Sequence, residues 1–254
     1  MSTARVTAIY RYPVKGLSPE PLDAVDLAPG ETVPGDRIYA IENGPGRFDP
    51  EAPRHLPKVS FLMLARNGRL AALRTRLDPV SHVLVIERGG RQVASGDLRT
   101  PLGRRMIEQF LAAYMQGELR GAPRVVSAPG HSFSDVAARC VHIVNLASIR
   151  ELERKTGKAI DPLRFRANFY VDGWAPWEEL RWLEKDLASG NLRLCVLDRT
   201  QRCAATEVEP ATGERNMAVP SELRRHLGHE DFGIYARIVA GGTIAIGDGI
   251  SLVA

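Results

Sequence analysis

Cysteine is scarce in this chain. Its 254 residues include three cysteines, at positions 140, 195 and 203. An odd and sparse set of this kind is unlike a disulfide framework. The sequence contains no Cys-x-x-Cys pair, which argues against a zinc ribbon and against an iron–sulfur cluster. If the chain carries out redox chemistry, we therefore expect its electrons to come from a separate protein.

Long apolar runs are also missing. No segment approaches the roughly 20 consecutive apolar residues of a membrane span, and the first five residues lack the apolar core of a signal peptide. The apolar fraction of 44% and the charged fraction of 25% are those of a soluble globular protein. We therefore expect a cytoplasmic protein without a membrane span, built as one large domain or two ordinary ones.

Lysine is rare, and arginine supplies most of the positive charge behind the net charge of +4. Base composition of the genome is one explanation of this bias. Arginine also suits bidentate capture of phosphate or carboxylate, so an anionic ligand is compatible with the sequence. The chain has no basic run with interleaved aromatic residues, and we expect no nucleic-acid partner. It also matches no P-loop, dinucleotide-binding or Ser-His-Asp signature.

Short strand-like segments dominate the hydrophobic pattern, and they predict a mainly β (α+β) protein with helices on the flanks of a closed sheet. The predicted strands cover residues 5–12, 22–27, 82–87, 91–94, 124–127, 141–145, 165–172, 192–197, 233–239 and 242–254. Residues 35–41 are predicted to form a turn that leads into a further strand. Residues 61–76 are predicted to form a strand, a turn and a second strand. Predicted helices cover residues 101–115, 148–155 and 221–227.

The helix at 101–115 has the clearest amphipathic pattern. Six apolar side chains are predicted to share its buried face, between two sheet units: Leu102, Met106, Ile107, Phe110, Leu111 and Tyr114. A linker at 117–123 follows it. We therefore place a domain boundary here, with residues 1–120 as an N-terminal domain and 121–254 as a second domain.

Cys203 is the strongest candidate for chemistry. It lies beside Arg202, after the apolar run 192–197 and before a turn rich in Pro, Thr and Gly. An adjacent positive charge favours the thiolate, which is the form that a soft metal or a covalent reaction requires. The alternative is a buried, inert cysteine. Cys195 is expected in the core, and Cys140 in the core or at a strand edge.

Two other groups of residues are weaker candidates. His226 and His229 are three residues apart at a helix end, which favours a solvated helix terminus over a metal site. Trp174, Trp177 and Trp182 could form a substrate wall, but we expect them to pack in the core.

Several segments together resemble one known family. They are Tyr12-Pro13-Val14-Lys15-Gly16, Gly35-Asp36-Arg37, Ser134-Asp135, Phe165-Arg166-Ala167-Asn168, the Cys203 segment, Phe232-Gly233-Ile234-Tyr235 and Gly247-Asp248. In order and spacing the chain resembles the MOSC family, named for the C-terminal domain of molybdenum cofactor sulfurase. It is similar to the form that carries an N-terminal β-barrel domain, as in the mitochondrial amidoxime-reducing component and its bacterial relatives. The resemblance implies a MOSC-type β-barrel with flanking helices and a smaller, β-rich N-terminal domain.

The resemblance also implies a site. Cys203 corresponds to the protein ligand of molybdenum, which the family holds through the dithiolene of a pterin with a terminal phosphate. The implied cofactor-binding residues are Lys15, Arg37, Asp135, Arg166, Asn168, Gln201, Arg202 and Tyr235. The four cations suit a phosphate, and Asp135 suits the pterin amino group. Asn168 could serve either its strand or the ligand. Gly16 replaces a serine frequent in the family, which puts that hydrogen bond in doubt.

The function implied is a molybdenum-cofactor oxidoreductase that reduces N-hydroxylated or other N–O small molecules. No iron–sulfur cluster is expected in this chain, so a separate electron-donor protein is expected. Pyridoxal phosphate is not expected either. Two alternatives remain open. Cys203 could carry a persulfide in sulfur transfer, or the chain could be a non-catalytic module that binds the cofactor.

Overall fold

A computed structural model describes residues 2–44 and 46–253, and in these residues strands far outnumber helices. The strands are β1 (Thr3–Arg11), β2 (Glu20–Leu22), β3 (Ala24–Leu27), β4 (Ala40–Asn43), β5 (Arg74–Leu77), β6 (Val83–Arg88), β7 (Arg91–Asp97), β8 (Pro123–Val126), β9 (Val141–Asn145), β10 (Phe169–Asp172), β11 (Asp186–Ser189), β12 (Leu192–Gln201), β13 (Asp231–Ala240), β14 (Gly242–Ala245) and β15 (Gly249–Leu252). The α-helices are α1 (Pro101–Tyr114), α2 (Leu146–Thr156) and α3 (Val219–Leu227). The predicted mainly β class is confirmed. Within the described ranges, no helix is both long enough and apolar enough to cross a membrane.

Seven strands close into a barrel in the order β1, β10, β9, β13, β12, β11, β15 and back to β1. The β9–β10 pair is parallel and the other pairs are antiparallel. Closure of the barrel pairs the backbone N–H and C=O groups that would lack hydrogen-bond partners at the edges of an open sheet. Alternating apolar residues of these strands fill the interior, as Val6, Phe169, Val171 and Leu194 illustrate. The first strand of the chain thus completes a barrel built otherwise from residues after 140.

A second unit contains a three-stranded sheet, β5–β6–β7, and the β4–β8 pair. Helix α1 packs against β7 and β8, which is the predicted position between two sheets. The contact with β7 is backbone to backbone, because a Cβ placed on Gly96 would lie 2.3 Å from the carbonyl oxygen of Gly103. Thr100 caps the N-terminus of the helix, and its hydroxyl accepts a hydrogen bond from the backbone N–H of Gly103.

The predicted apolar face of α1 is partly wrong. Ile107, Leu111 and Tyr114 are buried as predicted, but Leu102 is 63% exposed and Met106 is 48% exposed. Gly103 occupies the buried position one helical turn before Ile107. Because this glycine lets the helix approach the strand, the buried stripe runs through 103, 107, 111 and 114 and leaves Leu102 and Met106 outside it.

Other predicted strand segments are also wrong in part. The segment 242–254 contains two strands, because β14 pairs with β3 whereas β15 pairs with β11 and β1, and residue 254 lies outside the described residues. Residues 61–76 contain one strand, β5, preceded by a 3-10 helix at Gly68–Ala72. The amide oxygen of Asn67 accepts a hydrogen bond from the backbone N–H of Met63, which stabilises a turn where a strand is predicted. The segment 22–27 is divided at Asp23, because β2 pairs with β1 whereas β3 pairs with β14.

The weaker candidates lie in ordinary structural surroundings. Trp174 and Trp182 are buried and pack edge to face, with ring centroids 4.7 Å apart, which confirms their predicted role in the core. The prediction for Cys195 is wrong: it is half-buried, because β12 turns Leu194 and Val196 inward and the residue between them outward. Cys140 is buried, as predicted.

The two histidines make short-range contacts near the end of α3. His226 lies 3.5 Å from the carboxylate of Glu222, one turn earlier in the helix. The ring of His229 accepts a hydrogen bond from the backbone N–H of Asp231 at 3.1 Å. Within the described residues, no group of three or more His, Cys, Asp or Glu side chains could hold a metal ion. That the two histidines form no metal site stays a prediction.

Candidate functional site

A cleft of about 350 Å³ brings together residues from both halves of the chain. All nine residues predicted from the sequence line it: Lys15, Arg37, Asp135, Arg166, Asn168, Gln201, Arg202, Cys203 and Tyr235. Seven lining side chains are cationic and three carry carboxylates. The cations are Lys15, Lys58, Arg37, Arg164, Arg166, Arg199 and Arg202, and the carboxylates are Asp36, Asp135 and Asp198. The cleft is therefore suited to an anionic ligand.

Cys203 lies just beyond the end of β12. Its backbone is extended and caps a 3-10 turn at Ala204–Glu207, with its carbonyl oxygen accepting hydrogen bonds from the N–H and the hydroxyl of Thr206. The cysteine is half-buried and its side chain reaches the cleft. The sulfur is thus held at a strand end and remains accessible to a ligand.

The cation that contacts this sulfur is Lys58, which no sequence motif indicates. Lys58 Nζ donates a hydrogen bond to Cys203 Sγ at 3.3 Å and lies 3.8 Å from Asp135 Oδ2. It begins a 3-10 turn in the loop after β4, 145 residues before the cysteine. No local sequence pattern connects a loop lysine with so distant a residue, so this contact is not predictable from the sequence.

Arg202 reaches the cleft from a different direction. Its guanidinium donates to the carbonyl oxygen of Phe165 at 2.7 Å and lies 3.3 Å from His142 Nε2. Arg202 is therefore not the cation that hydrogen-bonds to the sulfur, although it immediately precedes Cys203 in the sequence. Burial lowers the pKa of Arg202 and, together with Arg202, lowers the pKa of His142 well below its usual value.

Arg164 fixes the turn that follows Cys203. One of its terminal nitrogens donates to the carbonyl oxygens of Thr206 and Glu207, at 3.3 and 3.0 Å. The other pairs with the carboxylate of Glu209. The Arg164 side chain is only 3% exposed, so this buried network holds the turn, and the position of the sulfur with it.

Arg37 and Arg166 share the ring of Tyr12. Their guanidinium carbons lie 4.9 and 4.3 Å from the ring centroid, and Arg37 donates to the carbonyl oxygen of Arg166 at 3.3 Å. The ring is fully buried, and burial raises the pKa of Tyr12 to about 12. A neutral aromatic face of this kind supports two cations through cation–π contacts.

The predicted strand at 165–172 is wrong at its start, where Arg166 lies. A 3-10 helix occupies Pro162–Phe165, and Arg166 ends it in the left-handed conformation with φ at 53°. Arg37 has φ at 52°. Left-handed backbone is uncommon in non-glycine residues and concentrates at functional sites. In both arginines the unusual backbone accompanies a side chain that lines the cleft.

Three guanidinium nitrogens of cleft-lining arginines lack a partner. Within residues 2–44 and 46–253, Arg164 Nε, Arg166 Nη2 and Arg202 Nε are buried without a hydrogen-bond acceptor. Burial lowers the pKa of Arg166, which reflects the cost of keeping its charge away from water. By contrast, although burial opposes it, Asp36 raises the pKa of Arg37 above its usual value. An anion in the cleft would supply the missing acceptors.

Lys15 and Asp135 form an ion pair between a buried and an exposed side chain. The lysine, 6% exposed, also donates to the carbonyl oxygen of Phe133 at 2.8 Å. Burial lowers the pKa of Lys15 in spite of its partner. Burial alone would raise the pKa of Asp135, but Lys15 and Lys58 hold it well below its usual range. The 46% exposed carboxylate is therefore ionised and accessible from the cleft.

The three remaining predicted residues differ in the contacts that they already make within the protein. The Asn168 side chain accepts from the backbone N–H of His142 and donates to the carbonyl oxygen of Tyr10, which favours its role between strands. Gln201 is exposed and donates to Glu230 at 3.3 Å. Tyr235 packs near His142, and burial raises its pKa. Their roles toward a ligand stay predictions.

Gly16 has a backbone reason for replacing the serine frequent in the family. Its φ is 83°, and a Cβ at this position would lie 3.0 Å from the carbonyl oxygen of Leu62. A side chain here would be strained by both the backbone and the contact. The turn that presents Lys15 to the cleft therefore favours glycine in this chain.

Family models match nearly the whole chain. The model of the MOSC domain matches residues 128–251, and that of the MOSC N-terminal beta barrel domain matches residues 3–122. The chain belongs to the MOSC domain family. The N-terminal match includes β1, which lies in the closed barrel beside strands of the MOSC match. The boundary between residues 120 and 121 stays a prediction.

The chain is similar to parts of longer curated proteins. It is 31% identical to human molybdenum cofactor sulfurase over 106 residues, which cover 37% of this chain and 12% of that protein. It is 29% identical to mitochondrial amidoxime reducing component 2 from Bos taurus over 120 residues, covering 42% and 35%. The matched regions thus span about a third or less of these relatives.

Solved structures are similar at lower identity. The YuaD protein from Bacillus subtilis is 15% identical, with a TM-score of 0.45, and the match covers 98% of this chain and 94% of that one. YiiM from Geobacillus stearothermophilus is 19% identical, with a TM-score of 0.36, and the match covers 45% and 54%.

Proposed function

We propose that this chain binds a molybdenum cofactor in the cleft and reduces N-hydroxylated or other N–O small molecules. The observation that carries the proposal is the Cys203 sulfur, which opens onto a cleft with a large excess of cationic side chains. Membership of the MOSC family and the names of the curated relatives support the same cofactor. The amidoxime-reducing relative supports the substrate class.

The cationic side chains fit the terminal phosphate of a pterin. Arg166 and Arg202 each have a buried nitrogen without an acceptor in the part of the chain that the structure describes. A phosphate offers several acceptor oxygens and is bound well by guanidinium groups. Lys15, Arg37, Arg166 and Arg202 would bind the phosphate, and Asp135 would accept hydrogen bonds from the pterin amino group.

The cysteine fits a metal that arrives with its own ligands. The described residues hold no cluster of three or more His, Cys, Asp or Glu side chains that could bind a metal by themselves. Cys203 offers a single soft sulfur, which suits a metal already ligated by a pterin dithiolene. When bound, this cofactor supplies the two-electron chemistry that reduces an N–O bond.

The protein side chains then have positioning roles. The Arg164–Glu209 pair would keep the Cys203 turn fixed while the sulfur binds the metal. Gln201 and Tyr235 would form the wall of the cleft next to the ligand. Because the sequence has no Cys-x-x-Cys pair, a separate electron-donor protein would reduce the site. We propose that the protein works in the cytoplasm.

One observation favours a second function, sulfur transfer. The ammonium group of Lys58, 3.3 Å from Cys203 Sγ, would also stabilise the negative charge of a persulfide on this cysteine. In that case the chain would deliver sulfur to an acceptor and would bind no molybdenum.

Molybdenum analysis of the full chain, purified from a host that makes the cofactor, separates these functions. We expect close to one molybdenum per chain, lost in Cys203→Ser and kept in the matched control Cys195→Ser. Reduction of a hydroxylamine by the loaded protein, given an electron donor, supports the oxidoreductase, and its absence leaves a cofactor-binding module. Metal-free protein that releases sulfur from Cys203 on treatment with cyanide contradicts the proposal and supports sulfur transfer.

A further inference from the structure

Lys58 differs from the buried cations of the cleft in its exposure and its contacts. Its side chain is 36% exposed, whereas that of Lys15 is 6% exposed and that of Arg164 is 3% exposed. Lys58 also donates a hydrogen bond to the Cys203 sulfur. It therefore combines contact with the sulfur and access from solvent.

The charge of Lys58 is only partly neutralised. Its carboxylate neighbour, Asp135, lies 3.8 Å away and forms a closer ion pair with Lys15. Asp135 thus serves two lysines, and the buried one holds it more closely. Lys58 consequently retains positive charge that an approaching anion can meet.

The other exposed cation of the cleft, Arg199, already has partners within the protein. Arg199 is 39% exposed, but it donates to the carbonyl oxygen of Leu180 at 2.7 Å and lies 3.8 Å from the carboxylate of Asp231. The neighbouring Asp198 lines the same cleft and adds a further negative charge. Lys58 is the better candidate for meeting an incoming anion near the sulfur.

We propose that Lys58 is a specificity-determining residue that draws anionic ligands to Cys203, so that the preferred substrates carry a carboxylate or another anionic group close to the N–O bond. This inference rests on the proposed function for the identity of the reaction. The buried cations would bind the phosphate of the cofactor, and Lys58 would bind the anionic group of the substrate. Lys58 would favour anionic substrates because the ammonium group attracts an anionic substrate but contributes no charge–charge attraction to the binding of a neutral one.

Alkylation of Cys203 in the cofactor-free full chain tests the charge effect directly. Iodoacetate and iodoacetamide have similar size and differ in charge, so the ratio of their rates at one fixed pH reports the attraction of anions to this sulfur. Mass spectrometry of the Cys203 peptide isolates its rate from those of Cys140 and Cys195. We expect Lys58→Gln to lower the iodoacetate-to-iodoacetamide ratio at least about fivefold.

Two variants serve as controls. Lys58→Arg keeps the charge and should keep most of the ratio, and Lys185→Gln removes an exposed lysine that does not line the cleft and should leave the ratio unchanged. A loss of folded protein would raise the labelling of buried Cys140 in the same samples, which distinguishes unfolding from a loss of charge at position 58. An unchanged ratio in Lys58→Gln, or an equal fall in Lys185→Gln, overturns the inference.

The loaded protein tests the substrate class. We expect Lys58→Gln to lower the preference in kcat/KM for N-hydroxyglycine, whose carboxylate lies close to the N–O bond, over its neutral amide, again at least about fivefold. An unchanged preference contradicts the inference while the proposed function stands. If the loaded protein reduces neither compound, the proposed function fails, and the alkylation ratio still decides whether Lys58 draws anions to Cys203.

Discussion

Two arginines of the cleft keep a backbone conformation that glycine adopts more easily. Arg37 and Arg166 both have φ near +50° and both lie over the Tyr12 ring. A left-handed residue with a side chain costs about 1 kcal/mol more than glycine. The interactions of their side chains with the ring, and with the anion that we propose, offset this cost.

This conformation predicts an inverted order of stability at position 166. Arg166→Ala should unfold about 1 kcal/mol more easily in urea than Arg166→Gly, because alanine is strained where φ is +53°. In helix α1 the order should reverse: at exposed Arg105, the alanine variant should be about 1 kcal/mol more stable than the glycine variant. If the alanine variant at position 166 is as stable as the glycine variant or more stable, the result contradicts the left-handed conformation of this residue.

At the residue scale, sequence motifs found the side chains that line the cleft but not the contacts between them. Cys203, Arg166 and Lys15 lie in segments that resemble the family. Lys58 and Arg164 do not stand out in the sequence, because their contacts to the Cys203 turn cross 145 and about 40 residues of chain. Such contacts depend on the closed barrel and on loop positions, which local patterns do not determine.

Helix α1 shows how one small residue determines the packing of an element. The helix meets β7 through Gly103 and Gly96, so the two backbones touch without intervening side chains. A Cβ on Gly103 would lie 2.2 Å from the carbonyl oxygen of Asp97. The side-chain pattern alone predicts a wider apolar face, and it is this close approach that leaves Leu102 exposed.

The close approach of Gly103 to β7 determines whether a substitution at this position stabilises or destabilises the protein. Gly103→Ala in a free helix would stabilise it by up to about 1 kcal/mol. Here it should destabilise the protein by about 2 to 3 kcal/mol, because the helix must move away from the strand. Arg105→Ala, at an exposed position of the same helix, should change the free energy of unfolding by less than about 0.5 kcal/mol. A more stable Gly103→Ala variant would contradict the described packing.

The elements that the sequence predicts best are those with a regular hydrophobic pattern. The helices at α1, α2 and α3 and the strands β1, β6, β9 and β13 lie close to their predicted positions. The errors fall where a side chain of a turn residue competes with the strand pattern, as at Asn67, or where one apolar run serves two sheets, as at Asp23. Strand β11 was missed altogether, because its four residues carry little pattern.

At the scale of the whole molecule, the N-terminal strand joins the two halves. Strand β1 lies between β10 and β15 in the closed barrel, while the chain that follows it builds the second unit. The cleft is lined by residues from both halves. The site and the barrel therefore depend on the same long-range connection.

This connection predicts the behaviour of a fragment. Residues 121–254 alone should not fold, because β10 and β15 would each lose a partner strand. Adding a short turn and residues 2–11 after β15 should restore cooperative unfolding, since Leu252 already hydrogen-bonds to Ser2. A Gly/Ser tail of equal length is the control. Circular dichroism during thermal unfolding reports the result, and a fragment that folds without β1 would contradict the closed barrel.

We propose, above all, that the Cys203 sulfur holds a metal inside the cationic cleft. A crystal structure of the molybdenum-loaded chain, with anomalous data collected at the molybdenum absorption edge, tests it most directly. We predict one strong anomalous peak at bonding distance from Cys203 Sγ, with the phosphate of the cofactor in contact with Arg166 or Arg202. A molybdenum peak elsewhere on the protein, with Cys203 free of the metal, would contradict the account.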